Sequence, residues 1–139
     1  MKFIYQAILT LFLLNASTTV YAVANNTIFD RVTGDWYWPE NGAKCTVQFI
    51  TISFSDNYKR ALFNYSDGTL GTDGKPAPDS KYTIFSYDKS SITMLLDGEK
   101  RTTKLGEPVK WVLELVEDDV WIWRMQHWPE TISNKGKKI

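Results

Sequence analysis

Short runs of alternating apolar and polar residues, parted by turn residues, fill the chain from residue 36 to residue 128. Val109, Trp111, Leu113 and Leu115 fall on one side of a two-residue repeat, with Lys110 and Glu114 on the other. Ile92, Met94 and Leu96 repeat the pattern, as do Ala61, Phe63 and Tyr65. That period is the pleat of a β-strand, whose side chains point to opposite faces in turn. No segment carries the 3.6-residue period of a long amphipathic helix. The pattern predicts strands over 36–38, 45–54, 59–66, 81–87, 91–96, 101–105, 109–116 and 120–128. Most connections are short and built from turn residues, with Asp97-Gly98 the clearest hairpin signal. Sequential hairpins favour antiparallel neighbours. The expected fold class is therefore all-β, an antiparallel up-and-down barrel of about eight strands. An open sandwich of two sheets is the competing arrangement.

Details refine this picture. Ile28, Phe29 and Val32 precede Gly34 with the spacing of a short helical turn, which would close one end of a barrel. Within 45–54 the apolar positions change phase, from Val47 and Phe49 to Ile50, Ile52 and Phe54. A change of phase inside a strand predicts a bulge or a sharp bend. Segment 67–80 is the one long loop and is rich in Gly, Asp and Pro. It is either a lid over the barrel mouth or a solvated excursion. Pro129 ends the last predicted strand, and the residues beyond it read as a frayed, solvated tail containing Lys135-Gly136-Lys137-Lys138.

The chain begins like an exported protein. Lys2 is followed by a mostly apolar run from Phe3 to Leu14, then by small and polar residues. Val20-Tyr21-Ala22 and Ala22-Val23-Ala24 both fit a small-residue cleavage site. Residues 1–22 are read as a signal peptide cut after residue 22 or 24, leaving 23–139 as a single domain. The apolar run is too short, and too interrupted by Gln6 and Thr10, for a transmembrane anchor of about 20 residues. The expected location is periplasmic or secreted. Loss of Lys2 leaves a net charge of about −1, which argues against nucleic acid or an anionic membrane as partner. Cys45 is the only cysteine, so no internal disulfide frame exists. It reads either as a buried thiol at the start of a strand or as a thiol for an intermolecular bond.

Chemistry is hard to assemble from these residues. With one His and one Cys, most nucleophilic and acid–base dyads have no members. His127 alternates with Met125 and Trp123 and reads as structural or surface. A Cys/His metal site would need more ligands, and the Asp-rich segment 67–74 lacks the spacing and closing Glu of an EF-hand. No enzyme activity, metal or cofactor is expected. What remains is an unusual aromatic supply: six Trp, seven Tyr and seven Phe. These either fill a core that no disulfide supports or line a ligand cavity. Phe63, Tyr65, Ile92, Met94, Trp111 and Leu113 alternate so as to point inward together and are the cavity candidates. Trp121 and Trp123 share one face of the 120–128 strand, opposite Ile122 and Arg124. A strand apolar on both faces would be covered outside, by a partner or by the N-terminal segment.

Gly34-Asp35-Trp36 opening the first strand, with Arg124 on the 120–128 strand, resembles the lipocalin family and related small ligand-binding barrels. In that family the Trp of a Gly-x-Trp closes the barrel floor, and an Arg from the last strand packs its guanidinium over the indole. The resemblance implies that Gly34, Trp36 and Arg124 form this structural signature. Cation–π attraction would then contribute on the order of 1 kcal/mol. The Thr-Asp-Tyr motif, the helix after the last strand and the usual disulfide of the family are not found in this sequence. Two functions follow. One is an exported, non-catalytic barrel that binds a small apolar ligand in its interior. The other is a filled barrel that binds a protein, as an inhibitor or an envelope-complex component.

Overall fold

The computed structural model of the chain describes residues 27–39, 47–71, 73–129 and 134–139. The proposed signal peptide and Cys45 lie outside the described residues. A short helix, α1 (Ile28–Val32), leads into eight strands: β1 (Gly34–Tyr37), β2 (Ile50–Ser55), β3 (Arg60–Tyr65) and β4 (Ser80–Tyr87), then β5 (Ser91–Leu96), β6 (Trp111–Glu117), β7 (Val120–Met125) and β8 (Asn134–Lys138). Each strand pairs antiparallel with the next, and β8 pairs with β1, so the sheet closes on itself. Closure removes every unpaired sheet edge.

The eighth strand is not where the alternation placed it. Residues 101–105 do not join the barrel wall. They belong to a loop that folds on itself through a Thr102–Pro108 bridge and bonds from the Thr103 and Gly106 amides to the Glu107 and Thr103 carbonyls. Pro108 has no N–H to offer a neighbouring strand, and Gly106 takes the left-handed turn at φ 79°. The tail expected to fray forms β8 instead. Along β8 the inward positions are Asn134, Gly136 and Lys138, none of them an apolar side chain. Gly136 lies opposite Trp121 and is buried because the indole lies against its backbone. A Cβ there would meet the Trp121 ring at 2.4 Å. The bulk that an apolar residue on β8 would have supplied comes from β7.

The phase change at Phe49 and Ile50 marks the start of β2, not a bulge within it. Ile50 and Ile52 face the core, while Phe49 stands before the strand, exchanging bonds with Ser66. Register shifts occur elsewhere, between Ile84 and Ser86 on β4 and between Leu115 and Glu117 on β6. Outward-facing Ile122 is half-buried, set between Glu114 and Lys135 in the ladder.

Strand direction sorts the connections into two ends. Short turns β2–β3, β4–β5 and β6–β7 share one end with α1. The connections β1–β2, β3–β4, β5–β6 and β7–β8 gather at the other. At the first end α1 is held by a capping box between Thr27 and Asp30, which also keeps the Asp30 carboxyl below its usual range. Arg31 bonds to the Lys89 carbonyl and, at 3.0 Å, to Asp118. Phe29 is buried and stacks on Tyr58 at 4.4 Å, with Phe54 and Tyr87 edge-on. Asp56, Asn57 and Tyr58 all hold left-handed backbone, an arrangement costly for a Tyr, and the Phe29 stack helps to hold it.

Trp36 forms the floor proper. It is fully buried, and its Nε1–H donates to the Val32 carbonyl at 2.7 Å. A cation covers the indole, but it is Lys138 of β8: its Nζ stands 5.4 Å from the ring centroid and donates to the Arg31 carbonyl at 3.0 Å. Arg124 is not part of this group. Because Trp121 and Trp123 point inward, Arg124, one residue on from Trp123, points outward, and its Nη1 donates to the Gln126 and Trp128 carbonyls.

Candidate functional site: the open end of the barrel

The inward residues of the strands pack into one cluster running up from the floor. Ile50, Ile52, Ile92, Met94, Leu113 and Trp121 are fully buried in it. Four of the six cavity candidates, Phe63, Ile92, Met94 and Leu113, belong to this solid core, at 2% exposure or less. They are packed within one buried cluster. Trp111 sits higher, at the start of β6, half-buried and stacked on Trp123 at 5.2 Å and 9°. Of the six, Tyr65 alone borders a described cleft.

That cleft lies at the open end and measures about 580 Å³. Its aromatic wall is Trp38 just past β1, Tyr65 at the end of β3, and Trp123 on β7. Each occupies an inward position near the mouth, and all three are half-buried. Trp38 and Tyr65 are nearly parallel, 12° apart with centroids 6.2 Å apart. Trp38 also meets Trp121 edge-on at 5.7 Å, which ties the wall to the core. The β3–β4 loop borders this cleft and contributes Leu70, Ala77 and Pro78. It is pinned by the Thr69 amide to the Ser66 carbonyl, by the Ala77 amide to the Thr69 carbonyl, and by a Leu70–Pro76 bridge. The loop borders the cleft, while most of its described residues face solvent. Polar groups complete the lining: Gln48, Thr69, Ser80 and Asn134.

Burial sets the ionisation of the two phenols near the cleft. Desolvation raises both Tyr65 and Tyr82 above the ordinary phenol range, and a hydrogen bond with Ser80 offsets part of the shift in each. Both are neutral and able to donate at any physiological pH. Beneath the Trp111–Trp123 stack lies an ion pair. Arg101 grips Glu99 through Nε and Nη2 at 2.8 and 2.7 Å, and its guanidinium carbon stands 5.5 Å from the Trp111 ring centroid. The Glu99 side chain is only 5% exposed. The Arg101 hydrogen bonds, above all, bring its carboxyl down to about 2. The result is a ladder of guanidinium, indole and indole ending at the cleft.

A second cleft of about 670 Å³ lies beside the β5–β6 loop, bounded by Lys104, Lys110 and the exposed His127. It has no aromatic wall comparable to the first. Among the described residues, no group of three or more His, Cys, Asp and Glu is placed to hold a metal, and no helix is long and apolar enough to cross a membrane.

No family model and no curated protein matches the chain significantly. Among solved structures, Treponema pallidum Tp0751 (Pallilysin) is similar over 81% of this chain and 83% of that one, at 8% identity and a TM-score of 0.40. The barrel assignment rests on the strand pairings themselves.

Sequence reasoning missed Trp38, Trp123 and Asn134 as site residues. For Trp123 a signal existed: it alternates with Trp121 on a strand whose other face carries Arg124, so both Trp residues must point inward. For Asn134 there was none, because β8 has no apolar pattern to give its facing.

Proposed function

We propose that the chain is an exported, non-catalytic, lipocalin-like binding protein whose small ligand occupies the cleft at the open end. The observation that carries this reading is the contrast in packing along one barrel axis. The interior is filled from α1 up to Trp121, while three half-buried aromatic rings border an open space of about 580 Å³ above it. Partly exposed aromatic surface with a few convergent polar groups is the usual make-up of a small-molecule site. The ligand thus sits over the core and not within it. The lipocalin-like part of the reading is supported by Trp36 under a C-terminal cation, with α1 across the floor. The exported part is supported by the N-terminal sequence alone. Native mass spectrometry of the purified chain, with tryptophan fluorescence titrations, tests the reading. A bound small molecule whose retention falls in Trp38→Ala supports it. A ligand retained equally by Trp38→Ala and Trp123→Ala contradicts it.

A second reading, a protein-binding module, is favoured by one observation. Leu105 stands 87% exposed at the tip of the β5–β6 loop, and Leu70 58% exposed on the loop beside the cleft. These two solvent-facing leucines, on loops at the same end of the barrel, are what the reading rests on. This reading requires a partner captured by the wild-type chain and lost by Leu105→Asp.

A further inference from the structure

The lining of the cleft narrows the ligand class, an inference that rests on the cleft reading above. We propose that the cleft takes an uncharged saccharide unit, laid with its C–H face against Trp38 or Tyr65. Among the described residues that border it, none is charged. Two carboxylates among the described residues nearby are already engaged. Glu99 is held by Arg101, and Asp79 accepts from the Asn64 side chain and the Tyr65 amide. An ionic ligand would lose its hydration there without meeting an opposite charge among the described lining residues.

A long apolar chain fits no better. A fatty tail needs depth, and the space beneath the cleft is filled by Phe63, Met94 and Leu113. What the cleft offers is an aromatic wall on one side, with amides and hydroxyls from Gln48, Thr69, Ser80 and Asn134 around it. Amide groups donate and accept, and hydroxyls do both. A sugar ring has the matching surfaces. Its axial C–H bonds form a weakly positive apolar face that sits against the negative face of an aromatic ring. Its hydroxyls form an edge that both donates and accepts. The open mouth suits a ligand that keeps part of its hydroxyl edge in water.

The test is isothermal titration of the full chain with cellohexaose, chitohexaose and maltohexaose as neutral probes. A galacturonate hexamer serves as the anionic probe and N-phenyl-1-naphthylamine as the neutral apolar one. The expected result is binding of at least one neutral hexasaccharide and rejection of the galacturonate. Trp38→Ala should weaken that binding about tenfold or more, and Trp38→Phe, which keeps a ring, much less. Should Trp38→Ala fail to fold, Asn134→Ala reads the polar half of the same cleft and should weaken binding too. If only the naphthylamine binds, and Trp38→Ala releases it, the saccharide assignment falls while the cleft reading stands. If none of the five probes binds, the saccharide assignment falls, and native mass spectrometry of the purified chain decides the cleft reading on its own. Equal binding of galacturonate and neutral sugars also overturns the assignment.

Discussion

The floor and the mouth of this barrel use the same aromatic residues to opposite ends. At the floor Trp36 is buried, its N–H is bonded to Val32, its face is covered by Lys138, and α1 lies across it. At the mouth Trp38, two residues further on and just past β1, shares its inward face but borders the cleft, with the β3–β4 loop beside it. Alternation decides that both rings point inward. What covers them decides whether a ring becomes structure or surface. The floor is covered because α1 packs across it, whereas among the described residues no helix packs over Trp38.

The largest expected effect comes from breaking the floor. Trp36→Ala removes a fully buried indole and leaves a cavity, and should cost about 3–5 kcal/mol in urea unfolding. A loss no larger than that of Trp38→Ala would erase the distinction between the two ends. Gly136→Ala comes next. It places a methyl against the Trp121 ring and should cost about 1–3 kcal/mol, which a thermal melt will register. If the variant melts like the wild type, β8 does not press on Trp121 as described. Lys138→Met keeps the aliphatic stem but loses the cation over Trp36 and the bond to the Arg31 carbonyl. It should cost about 2 kcal/mol, whereas Arg124→Met, outside the barrel, should cost clearly less.

The mouth carries an acid-sensitive group of its own. Glu99 has its carboxyl lowered from 4.5 to about 2, so its contribution is fully present above pH 4.5. It is lost as pH falls through about 2. Melting temperatures between pH 5 and 2 should therefore fall more steeply for the wild type than for Glu99→Gln. Parallel curves would mean that the carboxylate is not held by Arg101 in solution. The smallest stability effect is expected from Trp38→Ala, about 1 kcal/mol or less, because a half-buried ring has little burial to lose. Its consequence belongs to binding.

The sequence made the wall legible because most strands bury one face and expose the other. Met94, Leu113 and Phe63 announce their facing by alternating with polar neighbours. The floor helix was legible through Ile28, Phe29 and Val32 for the same reason. The closing strand was hidden. Its inward residues are an amide, a glycine and a lysine, and each is explained by a partner far away in sequence: the cleft for Asn134, Trp121 for Gly136 and Trp36 for Lys138. The cation over Trp36 was expected in kind and missed in identity, since a search confined to 120–128 had only Arg124 to offer. The cavity candidates were chosen by facing alone. Facing separates inside from outside, but height along the barrel axis separates core from site, and height depends on register.

The contrast between the two ends is tested most directly by hydrogen exchange at the indole N–H groups of the six tryptophans. The Trp36 signal should exchange slowest, limited by unfolding of the whole barrel, while Trp38 and the exposed Trp128 exchange far faster without it. A Trp36 indole exchanging as fast as that of Trp38 would contradict the closed floor, and with it the placement of the ligand site at the other end.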